Sequence, residues 1–310
     1  MKLAQIFSQI NSDFTISLNS KKLPGIEINS VEIDSRKIVK NSVFFALPGK
    51  ATNGINFVES AIEKGASVIV ANEIPQIFTQ NSPKTSNVIL ILSKNPFDLL
   101  VEFLQIFYPK LPQNIYAITG TNGKTSTAEF ARQMLEFIGK KSAAIGTLGV
   151  LSNHDITGLE ASSLTTPDII SLYKNLAVLK KNQIDDVVFE ASSIALEQQR
   201  MAGIKIAVGA FTNFTQDHLD YHGSMEEYLR CKTLLFSHFL ENGVAVLNAD
   251  IPEFASLKKI NLEQKNRVID YGFKAEVLQI IKIEKADLNQ KVSFKYQEEN
   301  FSFEITQSSA

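Results

Sequence analysis

Two consecutive α/β units, a small first one and a second built on a mostly parallel sheet around a phosphate loop, are the fold class this sequence predicts. Three observations carry that prediction. Short apolar runs rich in β-formers alternate with helical stretches along most of the 310 residues, the pattern of strand, crossover helix and parallel strand. A Gly-rich turn near residue 120 joins an apolar strand to a helix. The segment YPKLPQN at 108–114 places two prolines and an asparagine just before a new strand, as a linker does, so residues 1–110 and 111–310 are read as separate domains.

In the first domain the runs VFFAL at 43–47, VIVAN at 68–72 and NVILIL at 87–92 read as strands. Between the first two, FVESAIEKGA sets Phe57, Val58, Ala61 and Ile62 at helical spacing and ends on glycine, so a helix is expected there. In the second domain NIYAIT begins the pattern, and further strands are expected at 143–150, 187–189, 206–211 and 244–247. The helix after residue 124 is expected to bury Ala128, Ala131, Met134, Leu135 and Ile138 on one face. Beyond about residue 255 the chain is polar and alternating, as in KVSFKYQEENFSFEITQ, which predicts an antiparallel ribbon and no more of the parallel core. Ligands of such sheets sit beyond the carboxyl ends of the strands.

Composition narrows the function classes. Apolar residues make up 44% and charged residues 21% of the chain, enough for ordinary globular cores. The 31 basic and 33 acidic residues leave a net charge of -2, so no single-sign field marks a nucleic-acid or anionic-membrane surface. A lone cysteine, Cys231, excludes an internal disulfide framework and fits a reducing compartment. No apolar run reaches the roughly 18 residues of a membrane span, and MKLAQIFSQINSDF breaks its apolar residues with Gln and Asn. A cytoplasmic protein without membrane insertion or nucleic-acid partner is expected.

The segment NIYAITGTNGKTSTAEFARQML carries the clearest chemistry. Glycines 120 and 123 let backbone N–H groups converge on phosphate oxygens, and the helix amino end adds its positive dipole end. Lys124 supplies a point charge, and the Thr125 hydroxyl suits Mg²⁺. Gly120, Thr121, Asn122, Gly123, Lys124, Thr125 and Ser126 are therefore the expected ATP loop. The longer G-x-x-x-x-G-K-[ST] pattern fails, because its first position falls on Ile118; the match is the shorter T-G-T-N-G-K-T.

A second signal is a lysine on an apolar stripe. MEEYLRCKTLLFSHFL reads as a helix with Met225, Tyr228, Leu229, Leu235, Phe236 and Phe239 on one side, and Lys232 lies seven residues from both Met225 and Phe239. Burial disfavours the ammonium and favours the neutral amine, which captures carbon dioxide as a carbamate and so becomes an oxygen ligand for Mg²⁺. The competing reading is a side chain that snorkels to the surface.

The run TNFTQDHLDYHGSMEEYLRCK at 212–232 resembles the Mur ligase family, and LTTPD at 164–168, EASS at 190–193 and QQR ending at Arg200 narrow the likeness to its MurE type. That type adds the third amino acid, meso-diaminopimelate or lysine, to UDP-N-acetylmuramoyl-L-alanyl-D-glutamate in peptidoglycan synthesis. The resemblance implies Lys124 on the β- and γ-phosphates, Asn213 near the γ-phosphate, Thr125 and Glu190 on a first Mg²⁺, and His218 with carbamylated Lys232 on a second. It implies that Thr165, Thr166, Ser192, Gln198 and Arg200 hold the muramoyl peptide, Arg200 through the bidentate grip of guanidinium on carboxylate. DSR at 34–36 resembles the segment that meets the uridine end, making Ser35 a contact, whereas Asp34 and Arg36 also read as a local ion pair.

Three features depart from the family. Ile55 stands where its D-G-H-x-F segment has histidine, and Ile194 where E-V-S-S-H does. The family's third, Rossmann-like domain, which reads the incoming amino acid, has no counterpart before Ala310, so the sequence reads as a truncated or split product, or one completed by a segment on another chain. Two further readings stay open: a non-catalytic remnant that binds ATP or the UDP-linked peptide, and another ligase of the superfamily, such as the MurF or folylpolyglutamate type.

Overall fold

The apolar runs of the first hundred residues form a five-stranded sheet of β1 (Thr15–Leu18), β2 (Ser30–Glu32), β3 (Ser42–Phe45), β4 (Ala66–Ala71) and β5 (Ile89–Leu92) in the order β1-β5-β4-β3-β2. All neighbours are parallel except β1, which runs antiparallel along the edge. Every residue of β3 is buried, as expected of a parallel strand covered on both faces. On one side Phe45 meets Phe103 of α4 (Pro96–Phe107), which meets Phe7 of α1 (Leu3–Phe7), at ring distances of 5.6 and 5.9 Å. On the other, Phe44, Ile69 and Leu90 pack with Val58, Ala61 and Ile62 of α2 (Val58–Glu63) and Phe78 of α3 (Gln76–Thr79). Phe57, expected on the buried stripe of that helix, is 41% exposed, because the chain enters α2 through a 3-10 turn, Gly54–Phe57, capped by Asn53.

This computed structural model describes residues 1–19, 21, 25–49, 52–80, 82–286 and 289–306. The chain divides into two units, Met1–Lys110 and Leu111–Ala310.

The second unit is a ten-stranded sheet. In chain order its strands are β6 (Asn114–Thr119), β7 (Ser142–Gly146), β8 (Gly149–Ser152), β9 (Asp186–Glu190), β10 (Val208–Phe211), β11 (Val244–Asn248), β12 (Arg267–Gly272), β13 (Leu278–Ala286), β14 (Asn289–Tyr296) and β15 (Glu299–Thr306). Their spatial order is β15-β14-β13-β12-β11-β10-β6-β9-β7-β8. The six strands from β12 to β7 are mutually parallel. Helices α5 (Lys124–Phe137), α6 (Ile169–Lys181), α7 (Ser193–Glu197), α8 (Leu219–His222), α9 (Met225–Leu234) and α10 (Phe254–Glu263) connect them. No helix among the described residues is long and apolar enough to cross a membrane.

Three expectations are corrected. The strand expected over 143–150 is a hairpin of β7 and β8, because the two-residue turn Thr147–Leu148 between glycines reverses the chain. The parallel core does not stop near residue 255: α10 and β12 extend it, and the antiparallel ribbon begins only at β13. On α5, Ala128 is buried and Ala131 and Leu135 pack partly against the core, but Met134 and Ile138 are 69% and 66% exposed. The inward position Arg132 takes their place, bonding Glu129 at 2.7 Å and Asn153 at 3.1 Å.

Candidate functional site

Four adjacent parallel strands, β10, β6, β9 and β7, end at one edge of the sheet, and the segments leaving them build the site. From β6 the chain turns through Gly120 and Gly123, at φ of +139° and +80°, into α5. Left-handed backbone favours glycine at both. At Gly120 the space does too, since a Cβ there would lie 2.0 Å from Thr212 Oγ1. No side chain caps α5 at Gly123, which suits an anion satisfying the first-turn amides. Asn122 and Ser126 are exposed on the loop and first turn.

The segment after β10 grips this loop. Asn213 Oδ1 accepts from Asn122 N at 2.8 Å, Asn213 Nδ2 donates to Asn122 O at 3.0 Å, and Asn213 O accepts from Thr121 N at 2.9 Å. Thr212 Oγ1 donates to Asn122 O at 2.7 Å, and Thr121 Oγ1 exchanges bonds with Thr215 N and O. Asn213 thus holds the loop's shape.

Lys124 Nζ folds back to donate to Gly120 O at 3.0 Å and Thr121 O at 2.8 Å. Desolvation holds its ammonium below the usual lysine range, against the pull of Glu190 and Asp217. Glu190, at the end of β9, is buried; Oε2 accepts from Thr125 Oγ1 at 2.9 Å and Oε1 from Thr147 N at 2.8 Å. A hydroxyl and a carboxylate meeting this way are hard oxygen donors that fit Mg²⁺. Gly146 makes room for them, because a Cβ on it would stand 2.0 Å from Glu190 Oε1. Gly146→Ala is therefore expected to displace Glu190, weaken Mg²⁺-dependent ATP binding and cost about 1–3 kcal/mol of stability; titration calorimetry and thermal melting would measure both. Unchanged Mg²⁺-ATP affinity would count against a cation held by Glu190.

Lys232 is 1% exposed, on α9, which runs on into a π turn at Leu235–Phe239. Its Nζ donates to Gly120 O at 2.7 Å and lies 4.4 Å from the Tyr228 ring centroid. Burial first, and the Lys124 cation second, push the amine down to about 7. The snorkelling alternative is thereby excluded. His218 is exposed, in left-handed backbone at φ +50°, with Nε2 3.6 Å from Asp217 Oδ2 and its ring edge-on to Tyr228 at 6.1 Å. Tyr228 is thus the shared neighbour of His218 and Lys232.

The expected peptide-binding residues form one hydrogen-bonded chain that ends on Glu190. Arg200 Nη2 and Nε donate to Gln198 Oε1 at 2.7 and 3.0 Å, and Arg200 Nη1 donates to Thr166 O at 2.7 Å. Thr166 Oγ1 donates to Glu190 O at 2.6 Å and accepts from Ser192 N at 3.1 Å. Thr165 Oγ1 meets Thr147 Oγ1 at 3.1 Å, and Thr147 Oγ1 meets Glu190 Oε2 at 3.3 Å. Ser35 belongs to the first unit, where it is buried and its carbonyl accepts from Lys64 Nζ at 3.2 Å. Beside it Asp34 and Arg36 form an exposed pair at 2.7 Å that holds the Asp34 carboxyl below its usual range. Ile55 packs against the first unit's core, which accounts for an apolar residue there, and Ile194 is half-buried on α7.

Sequence reasoning did not single out Gly146, Thr147, Thr212 or Tyr228 as site residues. Thr212 and Tyr228 lay inside recognised runs; Gly146 and Thr147 gave no signal beyond a Gly-bounded turn.

Residues 118–308 match the Mur ligase middle domain, and residues 27–97 match the Mur ligase family, catalytic domain. The chain is 36% identical over 295 residues to UDP-N-acetylmuramoyl-L-alanyl-D-glutamate–2,6-diaminopimelate ligase of Zymomonas mobilis, covering 95% of this chain and 58% of that protein. It is 36% identical over 279 residues to the enzyme of the same name from Rickettsia montanensis, covering 89% and 56%. The fold is similar to a solved structure of a ligase of that name, with TM-score 0.76 and 23% identity over 97% of this chain and 59% of that one. The chain spans under two thirds of the length of these relatives.

Proposed function

Because this chain belongs to the Mur ligase family, we propose that it serves the ATP-dependent amide ligation that adds a diamino acid to UDP-N-acetylmuramoyl-L-alanyl-D-glutamate. The observation that carries the reading is the convergence of Lys124, Lys232, Thr125 and Glu190 on the loop between Gly120 and Thr125. The names of the relatives, 2,6-diaminopimelate ligases, favour diaminopimelate over lysine as the incoming amino acid.

In this reading the terminal carboxylate of the dipeptide attacks the γ-phosphorus of ATP, ADP leaves, and an acyl phosphate forms. The diamino acid's amine then attacks the acyl carbon, phosphate leaves, and the amine gives up a proton. Mg²⁺, when bound, would neutralise the crowded phosphate and carboxylate charges; Thr125 and Glu190 would hold one ion, and His218 with a Lys232 carbamate would hold the other. Lys124 leaves the carbonyls of Gly120 and Thr121 for the β- and γ-phosphates. Asn213 fixes the loop that receives them. Thr165, Thr166, Ser192, Gln198 and Arg200 orient the peptide, with Ser35 toward the uridine end.

Arg200→Lys is expected to keep the fold and weaken binding of the UDP-linked dipeptide by about 10- to 100-fold, the loss of charge-assisted bonds that a lysine does not make as a pair. Calorimetric titration with the dipeptide measures it, and unaltered affinity would remove Arg200 from the peptide site. The reading as a whole is tested by phosphate release from ATP and Mg²⁺ with that dipeptide, comparing meso-diaminopimelate with lysine. Release that depends on one of them supports the ligase. Absence of binding to both ATP and the dipeptide overturns it.

A further inference from the structure

Three metal-type donors that the proposed ligation does not use converge where α7, α8 and α9 meet. Glu197 ends α7, His222 ends α8, and Cys231 lies in α9; one ligand atom from each lies within 4.8 Å of the others. His222 and Cys231 are buried and Glu197 is half-buried. A carboxylate, an imidazole and a thiol make a mixed O, N and S set, which suits Zn²⁺; Mg²⁺ takes oxygen ligands in an octahedron.

The surroundings fit a cation. His222 Nε2 meets Ser193 Oγ at 2.9 Å. With its hydrogen on Nε2 the ring donates to Ser193 and presents the Nδ1 lone pair, the support a metal-bound imidazole usually has. Arg230 is the adjacent opposing charge: its Nη2 donates to Glu227 Oε1 at 2.6 Å and to Cys231 Sγ at 3.8 Å, and the Cys231 thiol donates to Glu227 Oε1 at 3.5 Å, so an ion on Cys231 takes the place of the Arg230 contact. Glu197 and Arg230 also line a cavity of about 780 Å³, so the Glu197 member of the set borders open space while His222 and Cys231 do not line it. Zinc bonds of about 2.0–2.3 Å set tetrahedral ligand atoms about 3.3–3.8 Å apart, so the side chains need to close by about 1 Å.

We propose that Glu197, His222 and Cys231 form a zinc-class site that clasps α7, α8 and α9 together. Binding forms one bond from the metal to each of the three residues, displaces water from the ion and releases the Cys231 thiol proton to solvent. The consequence for the rest of the molecule runs through packing: the His222 ring lies 5.1 Å from that of Tyr228, the residue against which Lys232 rests. A bound ion therefore stiffens the wall that positions Lys232 without touching nucleotide.

The test is Co²⁺ binding by the purified chain in excess Mg²⁺, followed by displacement with Zn²⁺. Cys231 is the only cysteine, so a thiolate-to-cobalt charge-transfer band has one source. Expected are such a band at one equivalent, its loss on adding zinc, a zinc-dependent rise in melting temperature, and no band in Cys231→Ser. Glu197→Gln, half-buried and isosteric, keeps the fold and should bind zinc at least tenfold more weakly. A wild-type chain without the band, zinc bound equally by Cys231→Ser, or unchanged affinity in Glu197→Gln overturns the site.

Discussion

A Lys124→Ala chain is expected to keep its fold and lose turnover by about 100- to 1,000-fold, the effect of removing one preorganised charge from developing anionic oxygens. The two halves of that expectation have separate causes. Nζ donates to the carbonyls of Gly120 and Thr121, and burial holds its ammonium below the ordinary range. Its charged form is therefore destabilised by folding, and alanine leaves the melting temperature without ATP unchanged or slightly raised. With ATP the comparison reverses. A ligand that binds only the folded state raises the melting temperature by mass action, so the wild-type chain gains with Mg²⁺-ATP and the variant gains much less. Thermal melting with and without nucleotide, together with phosphate release, measures both. A variant with the wild-type ATP shift and phosphate release would take Lys124 out of the nucleotide site.

That site was legible in sequence to the extent that its parts are contiguous. Gly120 to Thr125 combine strand end, turn and helix start within six residues, so local periodicity and glycine placement suffice. Lys232 was legible for a different reason: helical spacing put a cation where the stripe needed an apolar residue, and the structure buries it. Contacts between distant segments were not legible. Gly146 is required by the Glu190 carboxylate and Thr147 bonds it, 43 residues away in the chain, and no local pattern announces either. The stretch 254–272 was misread because α10 buries only Leu257 and Asn261. Asn261 closes its amide on Leu257 O and Asn266, so a polar residue stands on the inner face and the hydrophobic period disappears. On α5 the same substitution of roles, Arg132 inside and Met134 outside, made the stripe look wider than it is.

Lys232→Ala is expected to lose turnover by about as much as Lys124→Ala and, unlike it, to regain part when a short-chain carboxylic acid is added. The reason, in the proposed reading, is that Lys232 acts as an anion, its carbamate, beside the Lys124 cation. As an ammonium, Lys232 is buried and shares the Gly120 carbonyl with the Lys124 cation; burial first and that cation second push its amine down to about 7. As a carbamate it would be an anion beside that cation, so repulsion becomes attraction, and it would supply oxygens for Mg²⁺. A soluble carboxylate entering the space left by alanine supplies the same oxygens. The pH dependence gives a second, independent reading on the wild-type chain. Capture of carbon dioxide needs the neutral amine, whose share rises as pH rises through about 7. After carbon dioxide is stripped out, recovery of activity at fixed dissolved carbon dioxide should rise about tenfold from roughly pH 6 to pH 8 and then level off. An ordinary lysine, titrating near 10.5, would keep accelerating past about pH 9. Recovery that climbs without levelling, or a Lys232→Ala chain that stays fully active and indifferent to acid, would remove the carbamate from the site and leave Lys232 as a buried prop beneath the phosphate loop.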